Sequence, residues 1–97
     1  MKYYKVMTDD PQSPRVNEMP QIIYVISAYD RLEGYLEVGG RYTQIKKLAG
    51  AFNQRGVTGL SVACNPLEVL ESKSMDFNGL PERLRKAIEG SSRHPKR

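Results

Sequence analysis

Apolar and polar positions follow several distinct patterns along the chain. Gln21 to Tyr29 ("QIIYVISAY") is almost continuously apolar and β-branched, which suits a central strand buried on both faces. Beyond "DRLE", Leu36 and Val38 alternate with Tyr35 and Glu37, and that spacing predicts a β-hairpin. Lys2 to Met7 ("KYYKVM") is aromatic-rich but interrupted by lysines, which reads as a short edge strand. The proline-containing "TDDPQSPRVNEMP" between them reads as a loop.

The period changes at Thr43. Ile45, Leu48, Ala49 and Phe52 recur at i, i+3, i+4 and i+7, which predicts a helix over Thr43 to Arg55. Thr43 would cap its start and Gly56 would end it in a left-handed conformation. Gly50 inside this helix costs about 1 kcal/mol against alanine, a cost read as simply tolerated. Gly59 to Cys64 reads as a second core strand with Leu60, Val62 and Cys64 on one face. Pro81 then introduces "LPERLRKAIEG". Its stripe is Leu80, Leu84, Ala87 and Ile88, with Glu82 and Lys86 paired at i,i+4 and Gly90 as the stop.

The stretch "GVTGLSVACNPLEVLES", Gly56 to Ser72, admits two readings. One is two strands joined by a turn at Asn65-Pro66. The other is one strand followed by a short helix or turn, with Asn65 as cap, Pro66 at the first helical position and Glu68 at the third. A two-residue hairpin at Asn65-Pro66 needs positive φ, which proline cannot adopt. The cap signals therefore favour the helix or turn, and a strand resuming at Leu67 is the alternative.

Together these elements predict an α+β fold, a small antiparallel-rich sheet with two helices packed on one face. Residues 1–90 form one domain and 91–97 a disordered basic tail. The expected core is Val6, Ile22, Tyr24, Ile26, Leu36, Val38, Ile45, Leu48, Phe52, Leu60, Val62, Leu70, Leu84 and Ile88.

Composition limits the chemistry. The 97 residues are 39% hydrophobic and 27% charged, ordinary for one globular domain. The start offers no apolar signal segment. One cysteine excludes an internal disulfide and fits a reducing compartment, so a cytoplasmic location is expected. One histidine and one cysteine cannot build a zinc site of the usual type, and no phosphate-loop or dinucleotide fingerprint is present. No enzyme and no cofactor are expected.

Charge distribution is more telling than its +4 total. From Val38 to Leu67 there is no acid, while Arg41, Lys46, Lys47 and Arg55 contribute +4. A second basic block lies in residues 79–97. Two such blocks suggest a polyanionic partner, against the simpler reading of solvated faces and a basic tail. In "VGGRYT", Gly39, Gly40, Arg41 and Thr43 would precede or open the predicted helix, where exposed N–H groups can hold a phosphate. Six tyrosines beside the cations raise base stacking. Tyr3, Tyr4, Tyr29, Tyr35 and Tyr42 are candidates for exposure, against the strand propensity of tyrosine itself.

Four further fragments resemble a known family. "IIYVIS" supplies Tyr24, "FNQRGVTGL" supplies Asn53, "LEVLES" supplies Glu68, and "SSRHP" supplies Arg93 and His94. In this pattern the chain resembles the BLUF domains, blue-light sensors using FAD, over Gln21 to His94. The resemblance implies a flavin held among Tyr24, Asn53, Glu68, Arg93 and His94. Glu68 stands where the family has its switching glutamine, and few residues follow His94 where the family has its closing strands.

The residues support first a non-enzymatic binding module. It would dock on a nucleic acid or a nucleoprotein or protein complex through Arg41, Lys46, Lys47, Arg55, Arg83, Arg85 and Lys86. An accessory or inhibitory protein of a mobile element fits the size. The alternative is a divergent flavin-binding sensor or its non-photoactive relative.

Overall fold

The computed structural model describes residues 2–9, 21–28 and 31–92. Its elements are β1 (Lys2–Asp9), β2 (Gln21–Ala28), β3 (Arg31–Val38), β4 (Arg41–Ile45), β5 (Leu48–Asn53), β6 (Gly56–Val62), β7 (Asn65–Pro66) and β8 (Glu68–Met75). A 3-10 turn at Phe77–Gly79 leads to the single described α-helix, α1 (Glu82–Ser92). The strands form an antiparallel five-stranded sheet, ordered β4-β3-β2-β1-β8, and a three-stranded one, ordered β5-β6-β7.

The large sheet is the middle of three layers. Because side chains alternate across a strand, β2 presents Ile23 and Val25 to one face and Tyr24 and Ile26 to the other, all buried. On the first face Tyr4, Val6, Ile23 and Val25 pack with Val57 and Leu60 of β6. On the second, Tyr24, Ile26 and Tyr35 pack with Leu80, Leu84 and Ile88. A continuous apolar run on β2 is what two buried faces require. The β2–β3 hairpin is present, with Ala28 opposite Arg31. The stripe of α1 also lies where expected: Leu80, Leu84 and Ile88 are buried and Ala87 packs beside them.

The fold class departs from the α+β expectation of two helices on one face. One helix lies on one face, and the opposite face carries the β5–β6–β7 sheet. Thr43 to Arg55 is not a helix but the end of β4, a bend at Lys46-Lys47, and β5. The helical stripe conceals a period of two. Leu48, Gly50 and Phe52 are half-buried, while Ala49, Ala51 and Asn53 between them are exposed. Gly50 is not a tolerated cost either. A Cβ there would lie 3.3 Å from a Leu60 methyl and 3.6 Å from the Leu60 Cα, so β6 approaches closely where glycine allows it.

Asn65-Pro66 starts no helix. The reversal comes one step earlier, at Ala63 (φ 52) and Cys64 (φ 71), with Val62 facing Asn65. Two consecutive positive φ values are the signature of a type I′ hairpin turn. Pro66 then occupies β7, the edge strand of the small sheet, where a missing N–H is least costly. Leu67 N–H donates to the Leu60 carbonyl at 2.8 Å, and β8 begins at once. Cys64 is exposed in the turn rather than part of a core strand.

Smaller corrections have similarly local causes. β1 is not an edge strand, because β8 returns to pair with it. Leu70 is 51% exposed because it is the extra residue of a bulge: Met7 faces Glu71 while Thr8 faces Val69. Val38 is 60% exposed at the mouth of the β3–β4 turn. Gly90 does not stop α1, which includes residues 91 and 92; the rest of the expected tail lies outside the described residues. No helix among the described residues is long and apolar enough to cross a membrane.

Candidate polyanion-binding surface

The acid-free run from Val38 to Leu67 spans two sheets: it supplies β4, an edge strand of the large sheet, and the whole β5–β6–β7 sheet. Two turns carry most of its charge. Lys46 and Lys47 form the exposed bend between β4 and β5, with Lys47 at φ 59, and the Lys47 carbonyl accepts from Ala63 N–H at 2.9 Å. Arg55 sits at the far tip of the β5–β6 hairpin, about 20 Å away by the length of a six-residue strand. Between them the outer face offers Ala49, Ala51 and Thr58, all exposed and uncharged. Arg41 starts β4 on the free edge of the large sheet. None of these four cations forms an ion pair with a described residue.

The helix cations contribute unequally. Arg83 reaches the β3–β4 turn, its Nη1 donating to the Gly40 carbonyl at 3.5 Å, and so stands near Arg41. Arg85 is half-buried, with its Nε enclosed and unpartnered among the described residues. Lys86 pairs with Glu82 at 3.5 Å, both side chains well exposed. The seven expected cations therefore separate into the β4 corner (Arg41, Arg83), the Lys46-Lys47 bend, the Arg55 tip, and the body of α1.

The expected anion site at a helix N-terminus is absent. Gly39 (φ 58) and Gly40 (φ 79) are the two central residues of the β3–β4 hairpin turn, with Val38 facing Arg41. Glycine is needed there for positive φ, and Arg41 and Thr43 belong to β4 rather than to a helix. The tyrosines also serve packing. Tyr4, Tyr24 and Tyr35 are buried and Tyr3 and Tyr42 half-buried; Tyr29 lies outside the described residues.

Tyr24 and Tyr42 meet edge-on beneath α1, ring centroids 5.9 Å apart. Burial, then the charge of Glu37, then Tyr42 push the Tyr24 phenol up to about 12. The Tyr42 phenol is also raised, chiefly by burial and then by Glu37, whose carboxylate accepts its hydrogen bond; Arg83 acts in the opposite direction. Both phenols are thus held neutral within a packed layer.

The residues linked to flavin binding are not gathered. Tyr24 lies between the large sheet and α1, and Asn53 lies at the tip of the opposite layer. Glu68 begins β8 opposite Asp9, at the other end of that strand from Ser74. Arg93 and His94 lie outside the described residues. The segment holding Asn53 is a strand, whereas the resemblance implies a helix there.

One feature near Arg55 has no counterpart in the sequence reading. A groove of about 590 Å³ opens between the tip at residues 53–56, the start of β1 at Lys2, Tyr3 and Tyr4, and the end of β8 at Ser74, Met75 and Asp76. It is assembled from segments far apart in the chain, so no local motif announces it. No cluster of potential metal ligands occurs among the described residues. Comparison of the chain with family models, curated proteins and solved structures finds no match.

Proposed function

We propose that the chain is a non-enzymatic binding module that docks on a nucleic acid, alone or within a nucleoprotein assembly, through the basic surface of β4 and the β5–β6–β7 sheet. The observation that carries this reading is the acid-free run through β4 and the β5–β6–β7 sheet, with Arg41, Lys46, Lys47 and Arg55 distributed along it and outside any ion pair with a described residue. Cations without local partners cost little to bring against phosphates, and the absence of carboxylates removes the main repulsive term. The small, uncharged Ala49, Ala51 and Thr58 leave space for a backbone to lie between the charged turns. Docking is electrostatic and steric and involves no turnover.

The test is binding of the full chain to single-stranded and duplex oligonucleotides over a salt series. Four phosphate contacts predict a slope of roughly −3 in log K against log salt for a single strand. Lys46→Glu/Lys47→Glu should weaken binding by at least tenfold and flatten that slope. Unchanged retention of this variant on a polyanion column would remove the reading.

A further inference from the structure

The groove at the Arg55 tip is the most fully constructed feature of the proposed binding layer. Both backbone polar groups of Arg55 are hydrogen-bonded. Its N–H donates to Asn53 Oδ1 at 2.7 Å, and its carbonyl accepts from the Ser72 hydroxyl at 3.5 Å. The same hydroxyl oxygen accepts from Val57 N–H at 3.2 Å. Gly56, at φ 123, lies against Ser72 with no room for a Cβ. The turn is therefore rigid and the guanidinium is left to a ligand, an arrangement that lowers the cost of ordering on binding.

The groove's chemistry narrows that ligand. Lys2 and Arg55 bring two positive charges and Asp76 one negative, a net of +1. That balance suits the single charge of one phosphodiester better than a polyphosphate. Asp76 can accept from a sugar hydroxyl or a base amino group, and Asn53 and Gln54 add amides for a base edge. Tyr3 and Tyr4 line the groove from opposite faces of β1, Tyr3 beside Phe77 at 5.6 Å and the buried Tyr4 beside Phe52 at 5.2 Å between ring centroids. A volume of about 590 Å³ lies within the range of small-ligand clefts, ~300–1,000 Å³. As a cube it is about 8 Å on an edge, narrower than an α-helix with its side chains. A duplex stays outside, whereas an unstacked base can enter.

We infer that this groove is a nucleotide subsite, taking one phosphodiester and its base from a single strand and so giving the module a preference for single-stranded over duplex nucleic acid. The inference rests on the binding-module reading. The test is fluorescence anisotropy of a labelled 12-nucleotide strand, alone and as a duplex, with the wild type, Arg55→Ala and Lys46→Ala/Lys47→Ala. The wild type should prefer the single strand at least tenfold. Arg55→Ala should cut single-strand affinity about tenfold and duplex affinity less than twofold, while the double-lysine variant weakens both similarly. Equal affinity for both forms in the wild type, or equal losses in Arg55→Ala, overturns the subsite.

A second measurement addresses the groove alone. In NMR titrations a dinucleoside monophosphate should shift the amides of residues 53–56 and 74–76, and inorganic phosphate at the same concentration should not. Equal shifts with phosphate overturn the nucleotide assignment. Failure of the lysine variant to alter any binding while these shifts persist removes the docking layer and leaves the groove.

Discussion

The two faces of the large sheet are covered in different ways. On the helix face, large side chains meet large side chains: Leu80, Leu84 and Ile88 pack on Tyr24, Ile26 and Tyr35, with Tyr42 and Glu37 hydrogen-bonded at the rim. On the hairpin face the cover is itself a sheet, and backbone comes close to backbone and small side chain, Gly50 against Leu60 and Gly56 against Ser72. The helix layer holds its charge in Glu82, Arg83, Arg85, Lys86 and Glu89, of both signs, whereas the hairpin layer has only cations. Division of labour follows from this difference. One cover completes the core with a polar network, and the other completes it with aliphatic contacts and presents an unopposed positive surface.

Paired truncations test whether the faces are separate cores. Leu84 is fully enclosed and Leu60 nearly so, and Leu→Ala at either should cost about 2–5 kcal/mol, measured by urea denaturation. With the sheet between them, the double variant should lose the sum of the two within about 0.5 kcal/mol. Coupling well above that would show the layers to be one core.

A high-pH experiment isolates the helix face. The folded Tyr24 phenol titrates near 12 against 10.0 for the ordinary group. Between those values the unfolded chain has released the proton that the folded chain still holds, so stability falls as pH rises through this window. The loss is on the order of 2 kcal/mol from Tyr24, with Tyr42 acting in the same direction. Denaturation of Tyr24→Phe from pH 9 to 12 should show a shallower decline; an unchanged profile would detach the effect from this ring.

The smallest effect belongs to the hairpin face and has the opposite sign. Ala63 and Cys64 hold positive φ in a two-residue turn, a conformation that Asn-Gly adopts readily. Ala63→Asn/Cys64→Gly should therefore raise stability by about 1 kcal/mol, read as a higher thermal midpoint. A lower midpoint would mean that the original side chains make contacts the turn depends on.

Legibility in the sequence follows the same division. The helix face was readable because its signals are local: Pro81 before a four-residue-spaced stripe in α1, and a β2 segment apolar throughout. The hairpin face misleads because Ile45, Leu48, Ala49 and Phe52 satisfy a helical period and, in part, a strand period. What decides between them is the close approach of Leu60 to Gly50, a tertiary contact. At Asn65-Pro66 the cap chemistry was sound in isolation, but the turn had already been made with two residues ordinarily disfavoured for it. Among the candidate site residues, the acid-free run marked the Lys46-Lys47 bend and the Arg55 tip. The partnership of Arg55 with Lys2, Tyr3 and Asp76 depends on β1 and β8 ending beside that tip, and sequence spacing carries no trace of it.

Leu67 makes the passage between layers unusually short. Its N–H closes the small sheet on Leu60, and the next residue already belongs to β8 in the large one. Inserting one residue here would invert the parity of the strand that follows, sending Val69 and Ser72 toward the helix side and Lys73 and Met75 toward the hairpin side. Because Ser72 clasps the Arg55 turn, a one-residue error in chain length at this crossing would propagate to the groove, a full strand length away. The crossing thus acts as a counter that sets the phase of one sheet against the other.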